Sequence, residues 1–370
     1  MSVKIAIIIN TSWNIYNFRR GLVKSFLNEG HDVIAITPND AYVSKLADWG
    51  VRHLPIQLEG SGLNPLKDLK YLRQLKIILR AEQPDIVLSY TIKCNIYGSL
   101  ATKSLRIPII CNVSGLGTTF LWKGWIRRAA ITLYNRAFKS TDFTFFQNQD
   151  DRNLFLDQVQ ISPSKTGLLP GSGIDLSHFK GEPPPFARSI TLLMISRLII
   201  EKGVLEYLAA AKELVGIHEN VKFWLVGKYE PNHKRCISEK DFEQIESGKW
   251  IEYLGEKEDV KETITAADLV VLPSYREGTP RTLLEAAAMS RPLIATDVPG
   301  CKEVVSDGAN GFLCDAQNTA SLVKKIELFL ALNPEEKQAM AKASRTLVEE
   351  RFDERIVIAE YSRKIKQLLS

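Results

Sequence analysis

Short apolar runs alternate with longer amphipathic stretches along most of the chain. Residues 4–9, 31–37, 85–89, 107–112 and 143–146 read as short buried strands. Residues 14–29, 65–82, 94–105 and 122–139 carry the wider spacing of helices between them. The alternation then restarts. Strands are predicted at 190–196, 221–226, 250–254, 269–272 and 292–296, with helices at 203–215, 259–266 and 280–289. Repeated strand–helix–strand units imply right-handed crossovers around mostly parallel sheets, so the fold class is α/β. Between the two series stand Pro183, Pro184 and Pro185, a run that continues neither a helix nor a central strand. We therefore expect a first domain at 1–180, a linker at 181–189, a second domain at 190–350 and a terminal helix at 351–370. Helical spacing near the end is carried by Leu322, Ile326, Leu328 and Phe329, then by Ile356, Ile358, Tyr361 and Ile365.

Composition narrows the class of protein. At 370 residues the chain accommodates two domains with separate cores, and 45% hydrophobic with 25% charged residues is ordinary for a globular protein. Its five cysteines are scattered and form no C-x2-C pair, which speaks against a disulfide framework or a zinc site and fits a reducing compartment. The apolar run at 5–9 is too short for a signal-peptide core, and no stretch reaches the length of a membrane span. The net charge of +5 is unevenly placed. From Ile86 to Thr141 there is no acid, yet Lys93, Lys103, Arg106, Lys123, Arg127, Arg128, Arg136 and Lys139 lie there.

The most informative chemistry follows the apolar run 269–272. Pro273-Ser274-Tyr275-Arg276-Glu277-Gly278-Thr279-Pro280 leads into Arg281-Thr282-Leu283-Leu284-Glu285-Ala286. Thr279 is the expected N-cap and Pro280 the first helical residue. A helix start beside Gly278 offers free N–H groups to an anion. Glu277 on the loop and Glu285 within the helix would flank that anion as acceptors for hydroxyls, a layout suited to a nucleotide-sugar. Glutamates at this spacing are also ordinary helix-start residues, so the whole string carries the argument. Upstream, Arg197 and Lys202 stand where a parallel sheet binds ligands, and the pair suits phosphate. Gly227 and Lys228 end one strand, and Leu254 ends the next.

Three loops of the first domain follow strands. The first holds Asn14, the second Tyr90 and Lys93, and the third Gly115-Leu116-Gly117, a weak dinucleotide echo. Lys93 either meets a phosphate or is simply solvated. Next comes Trp122, Lys123, Trp125, Arg127 and Arg128, tryptophans interleaved with cations. Such a segment is either a core helix with a solvated face or a surface for anionic lipid; the missing acids favour lipid. No nucleic-acid module accompanies the charge. The five histidines lie outside the predicted crevice loops, and no Asp-x-Asp occurs. We expect no metal and no histidine base.

From Arg197 to Gly300 the chain resembles the retaining glycosyltransferases of the GT-B fold, glycosyltransferase family 4, and the resemblance extends over nearly its whole length. It implies two Rossmann-like domains facing a cleft, with the last helix crossing back to the first domain. It further implies that Glu277 contacts the donor sugar, Glu285 the nucleotide ribose, and Arg197 and Lys202 the donor diphosphate. Gly227, Lys228, Leu254, Gly278, Thr279 and Pro280 would surround the rest of the nucleotide. The donor would be a UDP-sugar carrying a hexose or N-acetylhexosamine, and the acceptor a polyprenyl-diphosphate-linked sugar. The enzyme would then sit on the cytoplasmic face of a bacterial membrane, without a cofactor. Galactose and N-acetylgalactosamine come first, on resemblance alone. The alternative readings are a UDP-sugar 2-epimerase of the same fold and a non-catalytic nucleotide-binding subunit that anchors a partner at the membrane. Three features depart from the family: the first loop lacks a glycine pair, the second lacks a histidine, and Ser290 stands before Arg291-Pro292 where glycine is common.

Overall fold

The computed structural model describes residues 2–58, 64–116, 125–186 and 189–370; of residues 125–130, the side chain of Arg128 alone is described. The chain forms two compact units. Residues 1–172 together with 354–370 make the first, and residues 173–353 make the second.

In the first unit the elements run β1 (Lys4–Ile8), α1 (Ser12–Phe18), α2 (Arg20–Asn28), β2 (Asp32–Thr37), α3 (Val43–Ala47) and β3 (Arg52–Pro55). Then come α4 (Pro65–Glu82), β4 (Ile86–Tyr90), α5 (Ile92–Leu105), β5 (Ile109–Val113), α6 (Trp125–Phe138), β6 (Phe143–Phe146), α7 (Gln149–Gln158) and β7 (Thr166–Leu168). Among the described residues the strands form one parallel sheet in the order β3-β2-β1-β4-β5-β6-β7. Strand side chains alternate between two cores, as the pleat requires. Ala6 and Ile8 pack with Tyr71, Leu75 and Leu79 of α4 on one face, while Ile5, Ile7 and Ile9 pack with Leu22, Val23 and Phe26 of α2 on the other. The expected helix at 14–29 is two helices. Arg19 breaks it with φ −132° and ψ 12°, and its guanidinium turns inward to lie 4.5 Å from the Tyr90 ring centre.

The second unit runs β8 (Ile190–Ile195), α8 (Val204–Leu214), β9 (Val221–Val226), α9 (Glu239–Glu246), β10 (Glu252–Tyr253), α10 (Lys261–Ala266) and β11 (Leu269–Leu272). It ends with α11 (Arg281–Ala288), β12 (Leu293–Thr296), β13 (Gly311–Cys314), α12 (Thr319–Ala331) and α13 (Pro334–Arg351). Its parallel sheet has the order β10-β9-β8-β11-β12-β13. The start of α13 shows how local sequence sets a boundary. Asn333 and Glu336 form a reciprocal capping box around Pro334 at the first helical position.

The chain passes between units at Ser172–Gly173 and again at Asp353–Glu354. The proline run expected as the linker lies within the second unit and is bonded to it. Ser290 Oγ donates to the Gly181 carbonyl, Arg291 to that of Glu182 and Gln338 to that of Pro184. The last helix, α14 (Glu354–Leu369), belongs to the first unit and packs on α2.

Candidate active site

In the second unit the strand order reverses between β8 and β11, the position at which open α/β sheets bind ligands beyond their carboxyl ends. The loops leaving these two strands carry Arg197, Lys202, Glu277 and the start of α11. Backbone bonds lock them together. Tyr275 N–H donates to the Glu201 carbonyl at 2.9 Å, and Glu277 N–H to that of Pro299 at 3.2 Å. Gly227, after β9, lies so close to the first loop that a Cβ there would stand 1.7 Å from the Ser196 carbonyl oxygen. Its N–H donates to the Gly255 carbonyl, and its carbonyl accepts from the Tyr253 hydroxyl at 2.7 Å. Leu254 is tied by its N–H to Leu225.

Glu277 is the centre of a short polar network. Lys202 Nζ donates to its Oε1, and Ser274 Oγ donates to the same oxygen at 2.6 Å. Ser274 is itself fixed by Thr296, whose hydroxyl donates to the Ser274 carbonyl. Glu277 is therefore aimed before any ligand arrives. Arg197 is exposed. Lys228 is half exposed and pairs with Glu230 at 3.2 Å, which raises its pKa. Gly278 and Pro280 are buried, Thr279 partly so. Pro280, with extended φ −72° and ψ 114°, takes the N-cap position expected for Thr279, and α11 starts one residue later at Arg281.

Glu285 lies on the first turns of α11. Arg281 Nε donates to its Oε1 at 3.1 Å, one helical turn away. Burial pushes the Glu285 carboxyl up from its ordinary range, the charge and hydrogen bond of Arg281 oppose that, and Asp259 adds to it.

Both halves of the chain match known families. Residues 179–347 match the family described as glycosyl transferases group 1, and residues 17–171 match the glycosyl transferase 4-like domain. The chain belongs to the group 1 glycosyltransferases. The glycosyltransferase is 28% identical to the N,N'-diacetylbacillosaminyl-diphospho-undecaprenol alpha-1,3-N-acetylgalactosaminyltransferase of Campylobacter jejuni, over 97% of each chain. It is 25% identical to the UDP-Gal:alpha-D-GlcNAc-diphosphoundecaprenol alpha-1,3-galactosyltransferase of Escherichia coli, over 81% of this chain and 80% of that one. Among solved structures it resembles a glycosyltransferase from Rickettsia africae, with TM-score 0.82, 19% identity, and coverage of 100% of this chain and 99% of that one. It also resembles Anabaena HepE in complex with UDP and glucose, with TM-score 0.80, 18% identity, and coverage of 98% and 99%. The fold is GT-B.

The acceptor-side residues of the glycosyltransferase are placed differently from expectation. Tyr90 is 1% exposed and sits in the core of the first unit against Arg19 and Tyr361, so it presents no surface to a ligand. Lys93 is neither solvated nor open to a phosphate, because its ammonium is bonded to Asp68 at 2.9 Å and both side chains are largely buried. Asn14 is partly buried in α1, with a buried Oδ1 that accepts no hydrogen bond. Arg128 is exposed on α6. Trp122 and Lys123 lie outside the described residues, as do the side chains of Trp125 and Arg127.

Sequence reasoning missed Ser274, Arg281 and Gly300. Arg281 was findable, since it precedes Glu285 by the four positions at which helix side chains meet. Ser274 shows only once the loop is folded.

Proposed function

We propose that this glycosyltransferase moves a hexose or N-acetylhexosamine, galactose or N-acetylgalactosamine first, from a UDP-sugar to a polyprenyl-diphosphate-linked sugar. The observation that carries the reading is the pre-aimed Glu277, held by Lys202 and Ser274 at the switch point of the second unit. Two facts support it: relatives similar over most of the chain are named for sugar transfer to diphosphoundecaprenol-linked sugars, and the residues present suit a diphosphate flanked by hydroxyls.

In this mechanism Glu277 accepts hydrogen bonds from the donor sugar, while Glu285 accepts from the ribose. Lys202, Arg197 and the amides at the start of α11 meet the charge that develops on the departing diphosphate. Fixed donors of this kind contribute about 10²–10³ in rate each. The acceptor hydroxyl attacks from the face of the leaving group, a diphosphate oxygen takes its proton, and the anomeric configuration is retained. Neither a metal nor a cofactor is required.

We place the protein at the inner face of a bacterial membrane. No helix among the described residues is long and apolar enough to cross a bilayer. A surface contact is supported by α4, whose outer face exposes Leu66 (81%), Leu69 (45%) and Ile77 (69%) among Lys67, Lys70, Arg73, Lys76 and Arg80. Its two acids are neutralised, Asp68 by Lys93 and Glu82 by Arg52. Apolar side chains set among cations suit an anionic headgroup layer.

The test is UDP release by the purified protein over a panel of UDP-sugars, with and without a short lipid-diphosphate-linked sugar. Acceptor-dependent release, reduced about 100-fold or more in Glu277→Ala, is the expected result. Conversion of the UDP-sugar without acceptor or UDP release would replace this reading with epimerisation.

A further inference from the structure

Arg281 is bonded along two edges. Besides the bond from Nε to Glu285, its Nη1 donates to the Gly173 carbonyl at 3.0 Å, and its guanidinium carbon lies 6.0 Å from the Phe179 ring centre. Gly173 is the residue at which the chain enters the second unit. A helix pair of this spacing on an open surface contributes about 0.3–0.5 kcal/mol and holds neither partner firmly. Here both side chains are more than four-fifths buried, at 18% and 13% exposure, and the carbonyl fixes the plane of the guanidinium. The charged groups acting on Glu285 are Arg281 from its own helix and Asp259 from the segment before α10, of opposite effect. An ionised carboxylate accepts at both oxygens, whereas a protonated one gives up acceptor capacity and becomes a donor.

We propose that Arg281 is the positioning residue for nucleotide recognition, fixing both the charge state and the direction of the Glu285 carboxylate so that it accepts from ribose hydroxyls across the neutral pH range. The proposal rests on the assignment of Glu285 to the donor ribose. Arg281 does not touch the nucleotide in this account; it acts through Glu285. Its charge keeps the buried carboxyl ionised, and its bond to Gly173 keeps the carboxylate from turning with a mobile partner. Lysine would supply the charge without the second bond, and methionine would supply neither.

Calorimetric titration of the full chain with UDP and with 2'-deoxy-UDP, between about pH 6 and pH 8.5, separates these contributions. Wild type should bind UDP with little pH dependence. Arg281→Met should bind UDP several-fold more weakly than wild type near pH 6 and by a smaller factor near pH 8.5, since a buried carboxyl that has lost its cation takes up a proton as the pH falls. Arg281→Lys should be weaker than wild type by a similar factor at every pH, and 2'-deoxy-UDP should be less sensitive to both substitutions. Glu285→Gln should lose UDP affinity without pH dependence.

A loss in Arg281→Met that is equal at all pH values would overturn the charge role, and Arg281→Lys indistinguishable from wild type would overturn the aiming role. Should Arg281→Met fail to give a cooperative thermal melt, the lysine variant decides: a pH-flat weakening supports the proposal and wild-type binding sinks it. If Glu285→Gln binds UDP like wild type, the ribose assignment itself fails, a result distinct from failure of Arg281 alone.

Discussion

Gly300 stands behind Glu277 with φ +86°, and a Cβ there would lie 2.5 Å from the Gly278 carbonyl oxygen and 2.6 Å from that of Glu277. The left-handed conformation alone costs an alanine about 1–2 kcal/mol, and the contact must be relieved by moving the loop that carries Glu277. Gly300→Ala is expected to lower kcat about 100-fold, with a smaller fall in Tm, in the UDP-release assay and a thermal melt. Ser290 meets a similar demand without glycine. It adopts φ +55°, the left-handed helix ending that glycine favours, and its hydroxyl is bonded to Gly181. Beside it, buried Arg291 donates to the carbonyls of Ile264, Thr265, Glu182 and Met289, and burial brings its pKa down to about 10. At this scale the sequence was legible where chemistry is local. Glu277, Lys202 and Arg197 sit in contiguous strings whose residue types mark a candidate site. Lys93 was not legible, because Asp68 lies 25 positions away and the two meet only when α4 packs on α5.

The long helices and central strands were readable from periodicity, since burial on one stripe or on two faces repeats over enough residues to register. The edge strands β3, β7 and β13 were not. They are short, carry polar residues such as Arg52, His53 and Thr166, and gain their pairing from a neighbour rather than from their own pattern. Helix α4 was read as a helix, but its outward face was not recognised. Its apolar positions on both sides give it a weak contrast between faces, so only the fold reveals which leucines remain outside. The double substitution Leu66→Asp and Ile77→Asp should lower binding to anionic vesicles at least tenfold, measured by flotation, while leaving UDP affinity unchanged. Vesicle binding unaltered by these changes, and by reversal of Arg73 and Arg80 to Glu, would remove α4 from the membrane account. Each buried apolar side chain contributes about 1.5–3 kcal/mol to such partition, which makes the two-site effect readable.

At the scale of the whole chain, the first unit is assembled from both ends of the sequence. In α14, Val357, Tyr361 and Ile365 are buried in the core formed by β1, α2 and β6. The Tyr361 ring lies 5.1 Å from that of Phe145, and its hydroxyl accepts from Asn112 at 3.1 Å. Burial of these three side chains contributes roughly 6 kcal/mol, comparable with the ~5–15 kcal/mol that holds a domain together. A chain ending at Asp353 should therefore lose the cooperative melt of the first unit and retain that of the second, as followed by calorimetry; two intact transitions would show that α14 is dispensable. The two-domain plan was legible from the restart of the strand–helix alternation. The passage points at Ser172–Gly173 and Asp353–Glu354 were not, since the proline run that looked like a boundary is held by Ser290, Arg291 and Gln338.

The split of the first unit has a consequence for biosynthesis. Ribosomes release the chain from the amino side, yet the unit built on residues 1–172 lacks Tyr361 and its neighbours until residues 354–370 have been made. The second unit, contiguous at 173–353, has all its parts sooner. During that interval the apolar side of α2 and β6 that α14 covers is open to nascent chains and chaperones alike. Completion of the first unit thus waits on residues made after the second, and residues 354–370 act as the latch that closes the unit built on residues 1–172.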